Sequence, residues 1–274
     1  MTNSFVKKML SGPFLAFIIC GTLVPMGVVA FYGLTDRTGT FTLENVMAMA
    51  TGDHAEALML SLGLSLLSTL ICLLLAFPLG LVLRDSNLGT KGFMVFVFIL
   101  PMWMNFLLRT MAWQVLLEKS GVINTLLEAI GLPGLDIINT PAAVVLGMVY
   151  DYLPFMVLPI YNALVKIDKH VIEAAYDLGA SFKQVLFKVI VPLSVPGIVS
   201  GVTMVFVPSL TTFAISNMLG GGKVNLIGNI IEQEFTASSN WNLGSGLSLV
   251  MMIFIIISMA FIEKFDRNGE GNLL

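Results

Sequence analysis

The chain has 274 residues, 57% of them hydrophobic and 11% charged, with a mean hydropathy of +0.91. Soluble domains carry roughly a quarter charged residues, so this composition excludes one or two soluble domains covered by polar surface. A net charge of -3 gives no footprint for nucleic acid, and Cys20 and Cys72 each sit inside an apolar run, which disfavours a disulfide or metal site.

A bilayer core about 30 Å thick demands roughly 20 predominantly apolar residues of a helix. Six stretches meet that demand, at about 13–34, 57–83, 92–117, 142–165, 193–215 and 243–262. The expected fold is therefore an all-α membrane protein with six transmembrane helices. The first span follows Lys7-Lys8, but its apolar run is too long for a cleaved signal and no small-x-small site follows, so it reads as a retained signal anchor. In the third span Pro101 is expected to kink the helix ahead of Trp103, Asn105 and Arg109. Thr140-Pro141 is a start signal for the fourth, with Thr140 as N-cap and Pro141 at the first helical position. Further along that span Asp151 stands between Tyr150 and Tyr152, and an ionisable residue inside a span is a functional candidate by default. The fifth span is interrupted halfway by Pro208-Ser-Leu-Thr-Thr-Phe213.

Basic residues set the expected orientation. With the N-terminus inside, ten of the fourteen fall on one face: Lys7, Lys8, Arg84, Lys91, Lys166, Lys169, Lys183, Lys188, Lys264 and Arg267. Both termini and the segment 166–192 are then cytoplasmic. Spans 1–3 and 4–6 do not echo one another, which weakens a secondary transporter built from inverted repeats.

Segment 166–192 is dense in charge between two apolar spans. Asp168 is placed to N-cap a helix over Lys169–Leu178, and Gly179 supplies the positive φ that ends it. Ser181-Phe-Lys-Gln184 is a capping-box pattern for a second helix, expected to end or kink at Pro192. On the first helix Val171, Ala174, Ala175 and Leu178 are expected to share a face, with Glu173 and Asp177 as an acidic i,i+4 pair beside it. The bland alternative is an amphipathic connector on the inner leaflet.

Glu173-Ala-Ala-x-x-x-Gly179, nine residues, then Val189-Ile-Val-Pro192 resembles the EAA loop of permease subunits in bacterial binding-protein-dependent ABC importers, with Val189 and Val191 where Ile and Leu are usual. Leu153-Pro-Phe-Met-Val-Leu-Pro-Ile-Tyr161, Glu173-Ala-Ala-Tyr-Asp-Leu-Gly-Ala-Ser181 and Met218-Leu-Gly-Gly-Gly-Lys223, followed by Leu226-Ile-Gly-Asn229, are similar to B-type permeases of spermidine/putrescine importers. The resemblance implies a type I ABC importer permease in the bacterial cell membrane. Residues 1–56 would be an N-terminal tail, first span and first outer loop, 57–262 the permease core, and 263–274 a cytoplasmic tail. It implies a second, non-identical permease, an ABC ATPase homodimer and an extracytoplasmic polyamine-binding protein. ATP and Mg would be used by the ATPase, with no cofactor on this chain. Glu173, Ala174, Ala175, Asp177, Leu178, Gly179 and Ser181 become the candidate ATPase-coupling residues.

A polyamine is a flexible polycation, for which a path offers carboxylates, carbonyls and aromatic faces. The candidates are Trp103, Asn105, Tyr150, Asp151, Ser209, Thr212 and Asn217, with Glu232 and Glu234 as acidic candidates on an outer loop. Asp151 is expected either to meet an ammonium group or to be a structural acceptor, and Arg109 to pair with an acid. The Pro208–Phe213 break resembles the gate of this fold class. Gly220-Gly-Gly-Lys223 is not a phosphate loop, because a Walker A needs Gly-x4-Gly-Lys-Ser/Thr and Val224 follows the Lys. The alternatives are a permease of the same architecture for ferric ion, sulfate or a phosphonate, and a secondary transporter.

Overall fold

The computed structural model describes residues 13–85 and 100–271. Among these, regular structure is helical apart from one antiparallel bridge between Thr35 and Phe41. Among the described residues five helices are long and apolar enough to cross a membrane: Pro13–Gly33 (α1), Gly52–Asp85 (α2), Pro141–Lys166, Phe182–Thr211 and the Trp241–Ile262 part of the last helix. Part of the expected third span, 92–99, lies outside the described residues. Its remainder forms a 3-10 turn, Leu100–Trp103, and a helix at Phe106–Leu117 (α3). The interruption expected after Pro101 is therefore present, and Asn105 restarts the helix by accepting from the Leu107 and Leu108 amides.

The chain divides into two compact units, one of residues up to Glu56 with Ile230–Ile255, the other of Ala57–Asn229 with the residues from Ile256 on. In the first unit α1 exposes Phe14, Phe17 and Phe31 along its length, a surface suited to lipid. The turn after it is built on Asp36, whose carboxylate accepts from the amides and hydroxyls of Thr38 and Thr40. These hydroxyl and amide donors hold its pKa well below the usual carboxylate range, the Thr38 hydroxyl most strongly. Asn242 donates to the Thr35 carbonyl at 2.7 Å, and Gly246 lies so close to Asn45 that a Cβ there would sit 2.5 Å from the Asn45 Cβ.

The second unit is organised around Pro141–Lys166 (α5), which follows the short helix Val122–Ala129 (α4). Thr140 caps α5 through the Ala143 amide with Pro141 at its start, as expected. Val144, Met148, Met156, Ile160 and Leu164 are fully buried along it. Helix α7, Phe182–Thr211, crosses α5 at two glycines: a Cβ at Gly197 would meet the Ala163 Cβ at 2.5 Å, and one at Gly201 the Met156 sulfur at 2.7 Å. Backbones approach closely there because small residues let dispersion contacts substitute for the hydrophobic drive that lipid removes.

Pro192 neither ends nor breaks the helix that precedes it. Leu186–Ile190 is a π turn, in which the Val191 amide reaches back five residues to the Leu186 carbonyl. Widening the turn just before a residue with no N–H shifts the hydrogen-bond register, and the helix continues through the proline. The same device precedes Val24-Pro25 in α1, where Ile19–Leu23 is a π turn. The expected fifth span, 193–215, consequently begins earlier and stops at Thr211.

Candidate functional site

The loop between α5 and α7 is a doubly capped helix pair. Helix α6, Lys169–Asp177, begins at Asp168, whose carboxylate accepts from the His170 amide at 3.0 Å. It ends in a Schellman arrangement: the Gly179 amide bonds the Tyr176 carbonyl, the Ala180 amide bonds the Ala175 carbonyl, and Gly179 has φ +81°. Gln184 then reaches back to the Ser181 amide at 2.8 Å and opens α7.

Ile172 and Ala175 turn toward the unit's own core, while Val171, Glu173, Ala174, Asp177 and Leu178 face out. The face expected from spacing is thus split, with Ala175 on the packed side. Leu178 is 90% exposed and Phe182 63%, so two large apolar side chains stand clear of the chain at the Gly179 hinge. Glu173 lies 3.2 Å from His170 Nδ1, and both remain open to solvent. A cleft of about 800 Å³ between the end of α2 and α6 is lined by Pro78, Val82, Asp85, Ile172 and Tyr176. A smaller one of about 290 Å³ is lined by Leu178, Gly179, Gln184 and Lys188.

The polar candidates within the spans form a second constellation. Asp151 lies about 22 Å along α5 from Lys166 at the standard helical rise. Its carboxylate is 1% exposed, 3.3 Å from Arg109 Nη2, and accepts from the Thr110 hydroxyl at 3.0 Å. Arg109 also lies over the Tyr150 ring, which packs edge-on against Trp113. Of the two roles expected for Asp151, this geometry is that of the structural acceptor joining α3 to α5. Burying both charges is tolerable only because they are buried together. Trp103 is 74% and Tyr150 37% exposed.

Helix α7 continues past Pro208 and breaks at Thr212, whose backbone is extended before a short helix, Ala214–Leu219 (α8). The freed carbonyls are not left open. Gly228 at the start of Ile227–Thr236 (α9) packs on the Thr211 and Thr212 carbonyls, and Asn229 Nδ2 donates to the Phe213 carbonyl. Asn229 also donates to Asn217 Oδ1, and its own carbonyl accepts from Ser216 and the Leu226 amide. The Ile227 amide is held by Ser61 of α2 at 2.8 Å. Asn217 remains exposed, whereas Ser209 and Thr212 are buried, Ser209 with no hydrogen-bond partner for its hydroxyl. Glu232 and Glu234 accept from Thr236 and Ser238 near the end of α9. Gly220–Lys223 is a tight turn with positive φ at Gly221 and Gly222.

Asn229, Thr110 and Arg84 are not among the candidates that the sequence singles out. Asn229 carries a signal, being an amide directly after Gly228. Thr110 and Arg84 carry none, because their partners are 41 and 83 residues away.

Apolar helices of spanning length, interrupted at polar sites and joined by an exposed, doubly capped charged helix, are the architecture of a multi-pass membrane protein. The chain matches the binding-protein-dependent transport system inner membrane components over residues 76–268, and it belongs to that family. It is a transport subunit and a multi-pass inner-membrane protein. It is 35% identical to the spermidine/putrescine transport system permease protein PotB of Haemophilus influenzae, over 98% of each chain. It is 37% identical to the Escherichia coli protein of that name, over 83% of each. Among solved structures, a bacterial ABC transporter involved in alginate import shares the fold with a TM-score of 0.79 over 96% of this chain and 95% of that one, at 16% identity. A methionine ABC transporter, MetNI, matches with a TM-score of 0.52 over 79% and 94% at 18% identity.

Proposed function

We propose that this chain is one of two non-identical permeases of an ATP-driven polyamine importer, carrying spermidine, putrescine or both. The observation that carries the solute class is the 35% identity to a spermidine/putrescine permease along 98% of both chains. Energy enters at α6 and the Gly179 hinge, where Leu178, Phe182, Glu173 and Ala174 form the surface that docks on an ABC ATPase homodimer. That ATPase uses ATP and Mg. An extracytoplasmic polyamine-binding protein delivers the solute, and both termini face the cytoplasm, in keeping with the bias of basic residues.

In this reading Trp103, Tyr150 and Asn217 offer aromatic and amide faces to the passing cation, consistent with their exposure. Asp151, Ser209 and Thr212 act from inside the bundle, and Asn105 through its cap. Glu232 and Glu234 gather the polycation or meet the binding protein.

The test is uptake of radiolabelled spermidine and putrescine by cells lacking their own polyamine importers, supplied with this chain, its ATPase, second permease and binding protein. ATP-dependent uptake that vanishes without this chain is the expected result. Uptake of ferric ion, sulfate or phosphonate in place of polyamine, or transport without any ATPase, would reject the proposal. Within it, wild-type uptake by both Asp151→Asn and Asp151→Ala removes Asp151 from any role in the path.

A further inference from the structure

The root of α6 is held by a buried cation, in addition to the packing of Ile172 and Ala175 against the core of its unit. Arg84, in the last turn of α2, is 8% exposed and donates through Nη2 to the Ile167 carbonyl at 3.2 Å. Ile167 is the single residue between the end of α5 at Lys166 and the N-cap of α6 at Asp168, and its own side chain is buried. Its carbonyl belongs to the C-terminal end of α5, where unsatisfied carbonyls and the helix dipole concentrate negative charge. A guanidinium is stabilised there by that negative end. The α2–α5 contact just below is tight: a Cβ at Gly80 would meet Leu164 at 3.0 Å and Ile160 at 3.3 Å. By contrast, α6 itself contributes no fully buried side chain.

We propose that Arg84 is a positioning residue for energy coupling, clamping the Ile167 carbonyl so that α6 moves with α2 and α5 as one lever instead of swinging about residue 167. The proposal rests on the reading of α6 as the ATPase-docking helix. A helix pushed by an ATPase drives the spans only if its root does not yield, and residue 167 is where an extended backbone would give way. The backbone there has ψ near 120°, outside the helix on either side. The Ile167 amide is tied to the Leu164 carbonyl and its side chain is buried, and the Arg84 bond holds the remaining polar group, its carbonyl.

The test uses the assembled importer in proteoliposomes, comparing wild type, Arg84→Lys and Arg84→Gln. Spin labels are placed at Val82→Cys and Lys169→Cys in a background of Cys20→Ser and Cys72→Ala, and ATP hydrolysed per polyamine transported is measured on the unlabelled proteins. In Arg84→Gln the ATP-to-polyamine ratio is expected to rise roughly tenfold to a hundredfold, the scale of losing one hydrogen bond to a charged group. The KM for the loaded binding protein stays within about twofold, since no solute or binding-protein contact is altered. The label-to-label distance distribution broadens, and Arg84→Lys falls between the two. A Gln variant that matches wild type in both the ratio and the distances overturns the clamp. If the Gln complex does not assemble, wild-type behaviour of Arg84→Lys in both readouts does the same. Should wild type hydrolyse ATP without moving polyamine, the functional reading fails, while the label distances still decide the clamp.

Discussion

Arg109 Nη2 lies 3.3 Å from Asp151 Oδ1, with the two side chains 6% and 1% exposed. This ion pair ties α3 to the middle of α5. Removing one member strands the other in a medium that cannot solvate it, which typically destabilises by about 3–5 kcal/mol, whereas replacing both with apolar residues of similar volume is close to neutral. Arg109→Ala and Asp151→Ala are therefore each expected to lower the thermal midpoint of the detergent-solubilised protein by many degrees. The double variant Arg109→Met with Asp151→Leu is expected to recover most of the loss. Additive losses in the double variant would show that the pair is not the unit that matters.

Asn229 is the hub of the α7–α8–α9 corner, accepting twice through its carbonyl and donating to Phe213 and Asn217 through its amide. Asn229→Asp keeps the size and the accepting Oδ1 but, ionised, cannot donate, and it turns an acceptor oxygen in place of Nδ2 onto the Phe213 carbonyl and Asn217 Oδ1. The expected loss is at least about 3 kcal/mol, from two lost hydrogen bonds and a buried charge. A thermal midpoint within a degree of wild type would disprove this role.

The Asp36 turn carries a pH dependence with a definite sign. Its carboxylate is stabilised in the folded turn by Thr38 and Thr40, so its pKa is depressed. A depressed carboxylate contributes stability above its unfolded pKa and loses it as pH falls through the folded one. The turn is thus expected to be unchanged across neutral and mildly acidic pH and to loosen only below the ordinary carboxylate range. The amide shifts of Thr38 and Thr40, followed by NMR, are expected to titrate below that range. In Asp36→Asn they lose this low-pH inflection. A midpoint at the ordinary carboxylate value would contradict the geometry.

At the coupling helix, Gly179→Arg and Glu173→Ala are expected to uncouple ATP hydrolysis from polyamine uptake while the spans stay folded. For Gly179 the φ of +81° alone disfavours an L-residue by about 1–2 kcal/mol, and the new side chain stands beside Leu178 on the proposed docking surface. Basal hydrolysis by the assembled complex is retained and uptake falls at least about tenfold, a change of about 1.4 kcal/mol in coupling. Full uptake by both variants removes this loop from energy transfer.

The caps of α6 and the start of α7 are legible in the sequence because capping is local chemistry. Asp168 meets the amide of residue 170, Gly179 takes a backbone angle that favours glycine, and Ser181 meets Gln184, all within three residues. The same holds for Thr140-Pro141. Asn105 carries an equally local cap signal, masked by its polarity inside a span. Pro192 misleads because the rule that proline ends a helix assumes an α register, and the π turn at Leu186–Ile190 removes the conflict.

The sequence by itself determined the class of protein. Apolar runs of membrane length, the asymmetry of Lys and Arg and the Glu-Ala-Ala…Gly spacing depend on composition and near neighbours alone. Only the tertiary structure decided which polar residues are open and which are shut in. Asp151 is closed off by Arg109 from another helix, the carbonyls freed at Thr212 are covered from α9, and Arg84 is turned onto the root of α6. The reason is physical: in an apolar medium a polar group must find a partner wherever one exists, and partners here come from helices far apart in the chain.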